Sequence, residues 1–278
     1  MSVACSILIP AHNEVGYIEP CLKALLASDK GDAAVEVIVI ANGCIDGTVD
    51  VAREFTAEFA DKGWHLLVLD VPQGGKTGAL NAGEAAARFG ARIYVDADVV
   101  ISPPLIAELA VVLDTAKPRY ASGVPVVHTQ DSRFSRIYAR FWAQLPFNTK
   151  GVPGYGVFAV NDAGRARWAE FPDVISDDTF VRLSFAPTER VRVEARYTWP
   201  MIDGFGPLVR VRRRQDTGVA EVKTRFPHLW QNHDPVNYDA KPLWRSALHD
   251  PLGFAAYGLL ALAVRLPHKS RERWARGR

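Results

Sequence analysis

Four short apolar runs, VACSILIP (3–10), VEVIVIA (35–41), HLLVLD (65–70) and RIYVDAD (92–98), alternate with helix-like segments over the first hundred residues. No other feature constrains the chain as strongly. The first two runs are nearly continuous in apolar residues, the pattern of strands covered on both faces. Between the runs lie a helix-like stretch from Glu14 to about Ser28, a helix opened by Asp46-Gly47-Thr48 towards Asp61, and an Ala-rich helix from Thr77 to Phe89. Four alternations of strand and helix predict βαβ units and a largely parallel sheet. Such sheets bind ligands at the carboxyl ends of their strands, which is where the polar motifs of this half fall.

One of those motifs, GGKTGALNAG (74–83), imitates the end of a nucleotide-binding P-loop. The P-loop needs a first glycine five residues before Gly75. That position is Asp70, which repels phosphate, and Pro72 removes a backbone donor. An ATPase or GTPase is therefore not the reading.

The second half is less regular. Pro sits at the start of the helix-like ISPPLIAELAVVLD (101–114), and YASGVPVVH (120–128) and VRVEARYTW (191–199) read as strands. SRIYARFWAQL (135–145) is amphipathic and aromatic, with Phe141 and Trp142 expected in the core or facing a membrane. GVPGYGVFAV (151–160) turns from Gly-rich to apolar, and LVRVRRR (208–214) is a basic helix-like stretch. The net charge of +2 gives no reason to expect nucleic acid. Three cysteines without ligand spacing fit a reducing cytoplasm, with Cys5 a small core residue. No N-terminal signal peptide is visible. The run PLGFAAYGLLALAVRL (251–266) is shorter than the roughly 20 residues a membrane-spanning helix needs. The basic, Trp-containing HKSRERWARGR (268–278) follows it, as suits the inner face of the cell membrane.

Two acidic pairs carry the chemistry. Asp96-Ala97-Asp98 ends an apolar strand, where buried carboxylates cost solvation and can offer oxygens to a hard divalent cation. Asp177-Asp178 lies about 80 residues later at the start of a helix-like run. Adjacent like charges raise one pKa, which suits a general base. Ser176 or Asp177 can cap that helix while Asp178 does chemistry.

IPAHNE (9–14), NGCIDGT (42–48), GGKTGALNAG, DAD (96–98), GYG (154–156) and SDD (176–178) stand in the order found in family-2 glycosyltransferases, which the chain resembles over roughly residues 4 to 220. The resemblance implies an α/β GT-A fold: a Rossmann-like, mixed but mostly parallel sheet flanked by helices. Residues 1–225 would form the transferase domain and 226–278 a C-terminal helical extension. It implies inverting transfer from a nucleotide-sugar donor to a glycan, glycolipid or lipid-linked acceptor, with Mg²⁺ or Mn²⁺ as cofactor. Pro10, Ala11 and Glu14 would contact the nucleoside. Asp98 would hold the metal, with Asp96 facing ribose or metal across Ala97. Asp178, beside Asp177, would be the base. Gly154 and Tyr155 would lie near donor sugar and acceptor, and Lys76 and Arg213 near phosphate.

There are departures. Where the family reads the base with Asp-Asp-x-Ser, this chain has Ala41-Asn42-Gly43-Cys44, so Asn42 is left to make that contact by hydrogen bonds. No Trp follows the arginines of 210–214. His12 is expected as a hydrogen-bonding wall, and His233 as a residue that could reach a metal. The alternatives are a sugar nucleotidyltransferase, against which IPAHNE lacks the Gly-rich basic loop, and a non-catalytic nucleotide-sugar-binding scaffold.

Overall fold

The computed structural model describes residues 3–234 and 247–266. Its strands are β1 (Cys5–Ala11), β2 (Val35–Asn42), β3 (His65–Val71), β4 (Ala91–Val95), β5 (Val100–Ile101), β6 (Tyr120–His128), β7 (Val157–Val160) and β8 (Arg190–Pro200). Its helices are α1 (Ile18–Leu26), α2 (Thr48–Glu54), α3 (Thr56–Asp61), α4 (Lys76–Ala86), α5 (Leu105–Leu113), α6 (Arg133–Ala143), α7 (Pro146–Thr149), α8 (Asp162–Arg165), α9 (Asp177–Leu183), α10 (Phe205–Arg225) and α11 (Pro251–Arg265). One eight-stranded sheet runs β3-β2-β1-β4-β7-β6-β8-β5. The four strands read from the first half form its parallel side, with Ile7 beside Val37 and Ile93. β7 then lies antiparallel between β4 and β6 and makes the sheet mixed.

Alternation along the buried strands feeds two cores. Ile7, Ile9, Val37 and Val39 point to one face, under Leu22 of α1 and Leu109 of α5. Leu8, Ile38 and Ile40 point to the other, with Leu80 of α4 and Phe180 of α9. Gly83 of α4 sits so close to β2 that a Cβ there would lie 2.8 Å from Ile40 Cδ1. A third cluster joins Trp142 of α6, Leu208 of α10 and Leu260 of α11.

Two boundaries differ from the sequence reading. The expected helix to Asp61 is broken at Phe55 into α2 and α3. The helix expected to reach Phe89 stops at Ala86. Beyond it the backbone N–H groups of Arg88 and Phe89 donate to Glu36 Oε1 (2.7 Å) and Ser6 Oγ (3.2 Å). These buried acceptors compete for donors that another helical turn would use.

Candidate active site

A cavity of about 300 Å³ opens at the carboxyl ends of β1, β2 and β4. Pro10, Glu14, Asn42, Lys76, Asp96, Ala97, Asp98, Tyr155, Asp177 and Asp178 line it. Residues up to 168 positions apart in sequence thus converge on one cleft.

The loops that frame it are tied by side chains. Asn42 Nδ2 donates to Ala11 O (2.8 Å) and its Oδ1 accepts from Gly75 N (3.0 Å). The amide left by the sequence to read a base is thus engaged by the frame, and Asn42 is buried. Gly43, at φ +57°, lies against Gly74, where a Cβ would stand 3.0 Å from the Gly74 backbone. Glu14 N donates to Thr48 Oγ1 (2.8 Å), and Asn13 Oδ1 accepts from Ile45 N (2.7 Å). His12 Nδ1 lies 2.5 Å from Asn42 O. A carbonyl only accepts, so Nδ1 carries the proton in that contact. Ala11 is buried outside the cavity lining and enters the frame through its carbonyl.

The acidic turn after β4 is pinned by the glycine segment: Asp96 N donates to Gly156 O (2.9 Å). Gly154 and Gly156 have φ of +72° and +77°. A Cβ on Gly154 would fall 1.7 Å from Tyr120 Oη, so the residue is demanded by space as well as by backbone. Between the glycines, Tyr155 donates to Asn148 Oδ1 (2.9 Å) and packs on Trp199.

Asp177 and Asp178 open α9 after Ser176, whose side chain makes no capping bond. Asp178 Oδ1 instead accepts from Thr179 N (2.7 Å). Long α10 braces this segment from behind. Glu221 Oε2 accepts from Ile175 N (3.0 Å), and a Cβ on Gly218 would press 2.5 Å from Ser176 Oγ.

Lys76 links the two acidic pairs. Its ammonium lies 2.9 Å from Asp96 Oδ1 and 3.1 Å from Asp177 Oδ2. Burial works against the charge, but Asp177 and Asp96 outweigh it and hold the lysine above its usual range. Burial and the Asp177 carboxylate push Asp178 up to about 6, with Lys76 pulling the other way. Five carboxyl groups (Glu14, Asp96, Asp98, Asp177, Asp178) thus face Lys76 and Arg214 across the lining.

Arg213 is turned elsewhere. Its guanidinium donates to Ala263 O (2.7 Å), Leu266 O (3.0 Å) and Val264 O (3.1 Å), closing the C-terminus of α11. Arg214 and Gln215 are the α10 residues that reach the cavity. A run of arginines does not tell which one faces the cleft, because one residue of helix turns a side chain by about 100°. His233 stacks on Trp230 and lies outside the lining. Phe141 is core, packed on Phe254 and Tyr257. Trp142 walls a second cavity of about 620 Å³ that shares His12, Glu14, Asp98, Trp199, Arg214 and Gln215 with the first. Trp199 carried no signal in the sequence beyond its place near the end of a strand.

Residues 6–167 match the model of glycosyl transferase family 2, more than half of the chain, and the chain belongs to that family. The architecture is GT-A. Among curated proteins, glycosyltransferase AglE of Haloferax volcanii is 35% identical over 69 residues, 25% of this chain and 22% of that protein. Glycosyltransferase EpsJ of Bacillus subtilis is 31% identical over 104 residues, 37% of this chain and 28% of that protein. The chain therefore spans about a quarter of the length of these relatives. The structure is similar to mannosyltransferase PcManGT of Pyrobaculum calidifontis in complex with GDP-Man and Mn²⁺ (TM-score 0.56, 17% identity, 95% of this chain and 74% of that one). It is also similar to TarS of S. aureus in complex with UDP-GlcNAc (0.51, 15%, 94% and 81%). Glucosyl-3-phosphoglycerate synthase of Mycobacterium tuberculosis, with Mn²⁺, UDP and glucosyl-3-phosphoglycerate, follows at 0.54 and 16%, covering 80% of each chain. At these identities the likeness is one of fold.

Proposed function

We propose that this chain transfers a sugar, with inversion, from a nucleotide-sugar donor to an acceptor hydroxyl on a glycan, glycolipid or lipid-linked molecule. The observation that carries the reading is Asp178, half-buried in the cleft with its carboxyl raised to about 6 beside the Lys76-bridged acids. A base of that strength is ionised at neutral pH and still takes a proton readily. Its carboxylate accepts the hydroxyl proton as the acceptor oxygen bonds to the anomeric carbon. The bond from that carbon to the diphosphate breaks on the opposite side, and the nucleoside diphosphate leaves with the electron pair. No covalent sugar–enzyme bond is needed.

The lining also fits a divalent cation. Among the described residues no group of three or more His, Cys, Asp or Glu makes a cage. Mg²⁺-type sites use one or two carboxylates plus substrate phosphates, however, and the acidic surplus of the cleft repels a bare diphosphate. Asp98, which faces both cavities, would hold the ion, with Asp96 beside it bridged to Lys76. Bound there, it would supply positive charge to the leaving diphosphate. Pro10, Glu14 and His12 would wall the nucleoside, Arg214 would meet phosphate, and Tyr155 would face the donor sugar. Division into a transferase domain (1–225) and an extension belongs to the same reading.

Calorimetric titration of UDP, GDP and dTDP, each with and without Mn²⁺, tests it on wild type and Asp98→Ala. Metal-dependent binding of one nucleotide, lost in the variant, supports the reading. Failure of all three to bind would leave a scaffold as the better account.

A further inference from the structure

α11 has two unlike faces. Its inner face, Gly253, Ala256 and Leu260, is buried against α6 and α10. Phe254 and Tyr257 at its flanks pack on Phe141 and Tyr138. Its outer face carries Leu252, Leu259 and Leu262, which are 66%, 54% and 65% exposed, with Leu248 before it and Leu266 after it also exposed. Within the helix, Leu252, Leu259 and Leu262 follow a helical repeat and form one stripe, with Leu248 and Leu266 beyond its ends. Isolated exposed leucines are ordinary, whereas a continuous stripe marks a surface meant to be covered.

The helix has 15 residues and so is about 22 Å long. No helix among the described residues is long and apolar enough to cross a membrane. A helix of this kind can lie in the plane of the headgroups with one face in the acyl boundary. Charge chooses between a bilayer and a second copy of the chain. Residues 265–278 contain six Lys and Arg against one Glu. Arg133 and Arg136 are exposed on neighbouring α6, and Arg140 of the same helix is held at the start of α11 by Asp250 (2.9 Å). Pairing two such faces would bring Arg265 and the arginines of neighbouring α6 from both copies together, while an anionic surface attracts them.

We propose that the outer leucine face of α11, with the basic residues around it, docks on an anionic lipid bilayer. This rests on the helix itself and holds whether or not the cleft transfers sugar. It places the cleft close to the lipid, because Leu259 points outward while adjacent Leu260 lines the second cavity.

The test is co-sedimentation of the full chain with vesicles of phosphatidylcholine alone or with about one third phosphatidylglycerol. The comparison variant is Leu252→Gln/Leu259→Gln/Leu262→Gln, all at exposed positions, with folding checked by an unchanged Tm. The wild type is expected to bind anionic vesicles, and the variant about tenfold or more weaker. Equal binding to neutral vesicles, equal binding by the variant, or no vesicle binding by the wild type would each overturn the proposal. So would a wild-type dimer in sedimentation velocity that the variant loses, which would give the face to a second copy. Nucleotide titration on the same preparations keeps a failed docking surface distinct from a failed active site.

Discussion

The parallel half of the sheet and the mixed half beyond β4 supply opposite walls of one cleft by different means. On the parallel side, β1, β2 and the loop before α4 are neighbours through βαβ units, and a buried amide, Asn42, clasps their loops. On the other side the wall comes from distant pieces. The Gly154–Gly156 turn pins the acidic turn after β4, α9 brings Asp177 and Asp178, and α10 holds them through Glu221. The first wall is a rigid frame built from sequence neighbours. The second brings Asp177, Asp178 and Arg214 to the cleft and depends on contacts that close only when the whole domain has formed.

Substitutions on the two walls should therefore fail differently. The largest effect is expected from Asp178→Asn, which keeps the shape and removes the proposed base. Its kcat should fall by about 10²–10⁴-fold with nucleotide affinity nearly unchanged. Stability should move the other way. A carboxyl whose folded pKa is raised costs stability above that pKa, and the cost vanishes as pH falls below the unfolded value. The variant should thus melt higher than wild type at pH 7.5, and the gap should close towards pH 4. A variant that melts lower at pH 7.5 would make Asp178 structural.

Next is Lys76→Met, which breaks the bridge between the acidic pairs. Turnover should drop about 10–100-fold, as for loss of a preorganised charge. Wild-type activity should decline as pH falls below about 6, because Asp178 becomes protonated. Without Lys76 that acid limb should move to higher pH, since the lysine is what restrains the Asp178 shift. A pH–rate profile with the limb unmoved would show that Lys76 acts only on binding.

Asn42→Ala tests the frame wall. It should cost about 1–3 kcal/mol in urea unfolding, because a buried carbonyl and N–H lose their partner. Nucleotide binding should weaken with it, with kcat at saturation little changed. The smallest contrast separates neighbours on α10. Arg214→Ala should weaken nucleotide binding about tenfold. Arg213→Ala should leave it within about twofold and lower Tm by about 2–4 °C, the loss of a helix cap.

What could be read from the sequence follows the same division. The parallel strands announced themselves because each is a buried run bounded by local turns, and the order of short motifs located the cleft. β7 gave no comparable signal: it has four residues, and its partners lie about 40 and 65 positions away. Lys76 stood out as part of a P-loop-like segment and as a residue expected near phosphate, not as a bridge between acids. Its actual partners, Asp96 and Asp177, are 20 and 101 positions distant, and no spacing rule links them. Asn42 was visible as a polar residue at a strand end, but whether its amide faced a ligand or the protein depended on Gly75 and Ala11 arriving beside it.

That engaged amide limits how this chain can be redesigned. An acid introduced at position 42 would still accept from Gly75 N but would set a carboxylate against the Ala11 carbonyl, oxygen facing oxygen. A substitution there cannot change the cavity wall alone, because Asn42 is also the rivet joining three loops. On the proposed reading, retargeting would begin at His12 or Glu14, which line the same cavity without joining all three.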